Sequence, residues 1–248
     1  MLSQNGSYPR ILFYIRKIKK HPRGVFFAGA EKRIRTSGKL QTYTRFPSSD
    51  LGVEIMNVLV ACEESQRVCI EFRKRGHRAF SCDLKDCSGG FPEWHIKADC
   101  FSVIDHNSWD LIIAHPPCTY LSVAGACNLV NGNGEIINQL RYEKMLEARE
   151  FFMRFYNLTG VKLCIENPRA MARCELPPYS QVIQPYQFGE NYSKQTLLWL
   201  KDLPLLIPDC YAISKRSFGE SWCAVKRSPG QRSKTFQGVA RAMATQWG

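Results

Sequence analysis

The sequence predicts an α/β protein with a mostly parallel sheet covered by helices on both faces. Three observations predict it: short apolar runs recur along residues 57–248, stretches with helical spacing separate several of them, and no single strand-helix unit could close its own core. With 248 residues the chain is long enough for one sizeable core.

The first strand is Val58-Leu59-Val60-Ala61, followed by a helix-like stretch over 64–75 that stops at Gly76. A second strand fits 78–82 and ends at Asp83; a third fits 95–98 and ends at Asp99. The fourth, Leu111-Ile112-Ile113-Ala114, runs directly into His115-Pro116-Pro117-Cys118. After a Gly/Asn-rich loop at 128–134, residues 135–157 carry Ile137, Leu140, Ala148, Phe152 and Phe155 at roughly helical spacing and form the longest helix. The fifth strand, 161–165, leads into Glu166-Asn167-Pro168; later strands fit 182–183 and 196–200, and a last helix 239–246.

Residues 1–55 have no sustained periodicity and are expected to be disordered. They hold 11 of the 34 Lys/Arg but 3 of the 22 Asp/Glu, so +8 of the +12 formal charge sits there and the remainder is only mildly basic. The stretch from Lys32 to Gly38, with Thr44-Arg45-Phe46-Pro47, resembles the spurious peptides obtained by translating through a transfer-RNA gene, and the native start is expected at Met56. A basic arm that binds phosphates is the alternative.

No apolar run approaches the ~20 residues that span a bilayer, and 11–15 is too short for a signal-peptide core, so the expectation is cytoplasmic. The 11 cysteines are odd in number, and Cys62, Cys69 and Cys164 fall in apolar elements, which favours reduced thiols. No CxxC occurs and no structural metal is expected.

Ligands of open α/β sheets bind beyond the carboxyl ends of the strands. Glu63 and Glu64 follow the first strand, Asp83 the second, Asp99 the third, Cys118 the fourth and Glu166 the fifth. A lone acid after a strand is usually a turn or a helix cap, but five such coincidences point to a site. Pro116 and Pro117 remove backbone freedom and donors, holding Cys118 on a stiff loop, as a thiolate nucleophile requires. The competing reading of Cys118 is a buried thiol.

Pro116-Pro117-Cys118, Glu166-Asn167-Pro168 and the closing Gly238-Val239-Ala240-Arg241-Ala242-Met243-Ala244 resemble the cysteine loop, the glutamate-asparagine loop and the final motif of DNA cytosine-5 methyltransferases. Residues 58–248 as a whole are similar to short phage and prophage proteins of that family, including Ile183-Gln184-Pro185-Tyr186-Gln187-Phe188-Gly189 and the run from Lys194 to Lys201. The resemblance implies a Rossmann-like S-adenosylmethionine-dependent methyltransferase fold acting on DNA in a bacterial or phage-infected cell.

It further implies that Cys118 adds to cytosine C6 and that Glu166 holds the base and supplies a proton, with Asn167 bracing its loop. S-adenosylmethionine would lie against Cys62, Glu63, Asp83, Leu84, Asp99, Cys100 and Pro116, with Asp83 on the ribose and Asp99 on the adenine. Pro117, Lys194 and Thr196 would meet the substrate.

The chain departs from the family at two places. Ala61-Cys62-Glu63-Glu64-Ser65-Gln66 has no glycine where a glycine-rich cofactor loop is usual. Only a short basic insert, about 201–235, stands where a target-recognition domain belongs, so low sequence specificity or a protein partner for target recognition is expected. Arg216, Lys226 and Arg227, with Phe218 and Trp222, make that insert the candidate DNA surface; a solvated loop is the plainer reading. Other readings are an amino-group (N4/N6) nucleobase methyltransferase, with Tyr120 near the Pro-Pro motif, a methylase of free nucleotides, or an inactive methyltransferase-like fold that binds nucleic acid or a protein.

Overall fold

The computed structural model describes residues 32–36, 39–43, 54–209 and 233–248. The chain divides into two units, Met1–Glu54 and Ile55–Gly248. In the first, β1 (Lys32–Thr36) pairs antiparallel with β2 (Lys39–Tyr43) in the register Lys32↔Tyr43 to Thr36↔Lys39, a two-stranded ribbon in a segment whose sequence shows no period.

The second unit is a seven-stranded mixed sheet with helices on both faces. Its elements are β3 (Asn57–Ala61), α1 (Arg67–Lys74), β4 (Arg78–Asp83), β5 (His95–Lys97), α2 (Cys100–Asp105), β6 (Leu111–Ala114), α3 (Gln139–Tyr156), β7 (Lys162–Pro168), β8 (Gln181–Ile183), β9 (Thr196–Lys201) and α4 (Gln237–Trp247). The strand order is β5-β4-β3-β6-β7-β9-β8. The first five strands run parallel; β9 is antiparallel to both neighbours, so β8 again points the same way as β7. Order and direction over β5 to β7 match the 3-2-1-4-5 part of a doubly wound sheet, and the order reverses between β3 and β6.

Side-chain alternation along the central strands feeds two cores. Val58, Val60, Leu111 and Ile113 face α1 and α4, where they meet Phe72, Val239 and Met243. Leu59, Ala61, Ile112 and Ala114 face the other way, onto Phe101 of α2 and Met145, Phe152 and Phe155 of α3. This is why the strands read as continuous apolar runs rather than as alternation. Each fully buried phenylalanine, such as Phe72 or Phe152, contributes on the order of 2–3 kcal/mol of transfer free energy.

Helix α4 closes the fold because its small residues permit a close approach. A Cβ on Gly238 would lie 1.8 Å from the backbone oxygen of Phe188, so only glycine fits where α4 begins. Gln237 Nε2 donates to Glu71 Oε1 of α1 at 2.8 Å, and Trp247 Nε1 donates to the Pro204 carbonyl at 3.0 Å.

Candidate functional site

Parallel pairing brings the carboxyl ends of five strands to one edge. Ala61 is in register with Cys82 and Ala114, Asp83 with Lys97, and Ala114 with Ile165. Glu63, Asp83, Asp99, His115 and Glu166 therefore follow neighbouring strand ends along this edge.

The loop between β3 and α1 meets the backbone demands of a glycine-rich turn without glycine. Cys62 and Gln66 both adopt left-handed conformations, each with φ 59°, a costly choice for residues with a Cβ. Glu63 is buried and its carboxylate lies on the first turn of α1, accepting from Val68 N at 2.7 Å and Cys69 N at 3.3 Å. Burial pushes the Glu63 carboxyl up, against the opposing pull of the His115 charge and of these two amides. The amide of buried Gln66 exchanges two hydrogen bonds with the Phe91 backbone, at 2.8 and 3.1 Å. A Cβ on Gly89 would come within 2.6 Å of Gln66 Cβ and 2.7 Å of the Ser65 carbonyl, so the glycine that this turn requires lies in the next loop.

Asp83 ends β4, half-buried, and accepts from Lys85 N at 2.9 Å. Leu84 beside it is 71% exposed, an apolar surface at the rim of the edge. Asp99 is exposed and caps α2, its Oδ1 accepting from Phe101 N and Ser102 N. Cys100 is buried, and a hydrogen bond to it, followed by burial, pushes the Cys62 thiol up; burial does the same for Cys82, to about 12. The Cys62 and Cys82 thiols stay protonated at ordinary pH and pack rather than react. No disulfide forms among the described residues.

Cys118 and Glu166 lie on two loops stitched together. His115 N donates to the Ala61 carbonyl at 3.0 Å, Pro116 is buried and Pro117 exposed, and the Cys118 carbonyl accepts from Leu121 N and Ser122 N. Beyond this turn, Val123 N donates to the Arg169 carbonyl and Met171 N to that of Leu121, with Ser122 and Ala170 forming an antiparallel bridge. The chain after Cys118 is thereby tied to the chain after Glu166-Asn167-Pro168. Arg141 of α3 holds the same loop from outside, donating to the Thr119 carbonyl at 3.0 Å and covering the Tyr120 ring, with Gly125 closely packed against its guanidinium. Cys118 itself is half-buried.

The link between the two strand ends is His115, whose Nδ1 lies 3.1 Å from Glu166 Oε2. Burial alone would raise the Glu166 carboxyl, but the hydrogen bond from His115 and the charges of Lys194 and His115 outweigh it and hold the group below the ordinary carboxylate range. Lys194, at the approach to β9, thus acts on Glu166 electrostatically, with its ammonium 6.0 Å from the centre of the Phe236 ring. Thr196 is buried and its hydroxyl donates to the Lys194 carbonyl at 3.2 Å, which shapes that approach. Asn167 is fully buried; its Nδ2 donates to the Pro168 carbonyl at 2.7 Å, while Oδ1 has no partner among the described residues.

Cys118, Glu166, Asn167, Lys194 and Thr196 thus belong to one loop cluster, and Cys62, Glu63, Asp83, Leu84, Asp99 and Cys100 to the β3–β4–β5 side of the edge. Arg216, Lys226 and Arg227 lie outside the described residues. Lys234, just beyond them, reaches Ser88 Oγ at 2.9 Å. Sequence reasoning passed over His115, Gln66 and Arg141. His115 was detectable from its place between a buried strand and two prolines; the other two act through contacts 22 or more residues away in the chain.

Among the described residues no group of His, Cys, Asp and Glu is arranged to hold a metal ion, and no helix is long and apolar enough to cross a membrane. Compared with known proteins, the chain matches no family model and no curated protein.

Proposed function

We propose that this protein is a Rossmann-like S-adenosylmethionine-dependent methyltransferase that methylates C5 of cytosine in DNA through a Cys118 adduct. The observation that carries the reading is the stitched pair of loops: a cysteine after Pro-Pro and a half-buried glutamate, its carboxylate fixed by His115, on adjacent strand ends beyond the switch in strand order.

The residues on the β3–β4–β5 side fit the cofactor. Glu63, Asp83 and Asp99 offer carboxylates suited to an amine and ribose hydroxyls, and Leu84 offers an exposed apolar face for a purine. The Glu63 carboxylate already occupies the amides that open α1, where a phosphate would otherwise bind. This favours a ligand with cationic character over a dinucleotide. When bound, S-adenosylmethionine supplies an electrophilic methyl group.

The chain's own residues do the remaining work. Cys118 as thiolate adds to C6 and makes C5 nucleophilic. Glu166 holds the pyrimidine by its N3 and amino group and delivers a proton as charge accumulates. Lys194 is placed to hold a phosphate or the base's oxygen beside Glu166. In duplex DNA the cytosine must leave the stack to reach these groups.

Mass spectrometry of the full chain incubated with S-adenosylmethionine and DNA containing 5-fluorocytosine tests the reading, because fluorine at C5 blocks the elimination that frees the thiol. The expected result is an adduct on Cys118 that Cys118→Ala abolishes. Cofactor binding without an adduct, with activity kept in Cys118→Ser, would assign the amino-group reaction instead. Absence of cofactor binding would assign a non-enzymatic role.

A further inference from the structure

We propose that His115 is the proton source for Glu166, a positioning residue that both aims the carboxylate and supplies the proton that Glu166 passes to the base. The inference rests on the cytosine reading above and deepens it.

The need arises from acceptor chemistry. An ionised carboxylate only accepts hydrogen bonds, and N3 of a neutral cytosine also only accepts. Two acceptors facing each other repel unless a proton enters between them. In the resting protein Glu166 is held in its ionised form, so that proton must arrive when the base binds.

The geometry offers one short route. His115 Nδ1 lies 3.1 Å from Glu166 Oε2, with 10% and 15% of the two side chains exposed, so the bond is shielded from water. The ring is fixed at its base by the His115 N bond to Ala61 and by the two prolines that follow. Its other nitrogen, Nε2, is buried without a partner among the described residues. The groups facing the pair are Glu63 from the loop after β3, which interacts with the His115 charge, Lys194 from the approach to β9, and the buried Cys164 on β7.

As the base binds, Glu166 takes the Nδ1 proton of a protonated His115, leaving a neutral imidazole. The Cys118 thiolate sulfur then forms its bond to C6, the C5–C6 π pair shifts through C4 onto N3, and N3 takes that same proton, which leaves Glu166 ionised again. The reverse sequence returns the proton when the thiol leaves.

The experiment measures the rate of adduct formation with 5-fluorocytosine DNA against pH for the full chain, for His115→Gln and for the shorter His115→Asn, whichever folds. Glutamine keeps an N–H toward Glu166 but carries no titrating proton. The expected result is a loss of about 10²- to 10⁴-fold, together with a pH profile whose shape differs from that of the unaltered protein. A variant at full rate, or a slow one with the pH profile of the unaltered protein, would overturn the proposal and leave His115 a loop-shaping residue. If the unaltered protein gives no adduct, the cytosine reading fails separately, and the pair is judged by carbon NMR of the Glu166 carboxyl. Titration at higher pH in His115→Gln supports the proton pair; an unchanged titration overturns it.

Discussion

Glu166 and Glu63, two carboxylates on the same sheet edge, end on opposite sides of the ordinary carboxylate range although the His115 charge lowers both. Burial raises both. For Glu166 the His115 hydrogen bond and the Lys194 charge win; for Glu63 they are absent or weaker, and burial wins over two amide bonds. The consequences for stability therefore have opposite signs. Glu166 contributes stability that is fully present above the unfolded carboxylate pKa of about 4.3 and is lost as pH falls through its lower folded value. Glu63 contributes stability present below that pKa and lost as pH rises through its higher folded value. Urea denaturation across pH is expected to show the Glu166→Gln variant less stable by a constant amount above about pH 5.5, with the gap narrowing below about 4.3. Parallel curves over the whole range would mean that Glu166 is not held ionised. Gln66 shows a second effect at this scale. Gln66→Ala removes both bonds to the Phe91 backbone and leaves the left-handed φ in place, so a loss of about 1–3 kcal/mol in the same assay is expected.

Among the elements, α4 has the tightest requirement, because its first turn meets the Phe188 carbonyl with no room for a Cβ. Gly238→Ala should gain helix propensity in isolation yet destabilise the protein by roughly 3 kcal/mol or more, since backbone cannot rotate away as a side chain can. A urea midpoint equal to that of the unaltered protein would show that α4 shifts freely. The strands of the central sheet could be read from sequence because each buries both faces and so appears as an unbroken apolar run. The helix starts could not. A helix over 64–75 was expected and α1 begins at Arg67, because Gln66 turns left-handed to meet Phe91 and Glu63 reaches forward to cap the first turn. The long helix, expected from residue 135, begins at Gln139: Asn131 Oδ1 accepts from the amides of Asn133 and Glu135, Val130 bridges Ile136, and Asn138 caps the helix at Arg141 N. The reversal of β9 was equally hidden, since direction depends on its partner β7 and not on its own apolar run.

For the whole molecule, strand order and charge placement together decide which ligand the edge accepts. A doubly wound sheet opens a crevice where its order reverses, here between β3 and β6, and nucleotide-binding versions use the amides that start the first helix to hold phosphate. In this chain those amides are taken by Glu63, whose buried carboxylate would have to share the position with a second anion. With Val68 N and Cys69 N committed to Glu63, a phosphate would have to displace the carboxylate to reach them. Glycine at 62 or 66 would relieve backbone strain but would not free the amides, so the restriction follows from Glu63 and not from the missing glycines. Titration calorimetry with the full chain is therefore expected to detect binding of S-adenosylmethionine and none of NAD at the same concentration. Replacing Glu63 by alanine should cost about 1 kcal/mol of stability through the lost cap while opening α1 to sulfate or phosphate. Binding of NAD to the unaltered protein would show that Glu63 swings aside, and the preference of this edge for a cationic ligand would then fail.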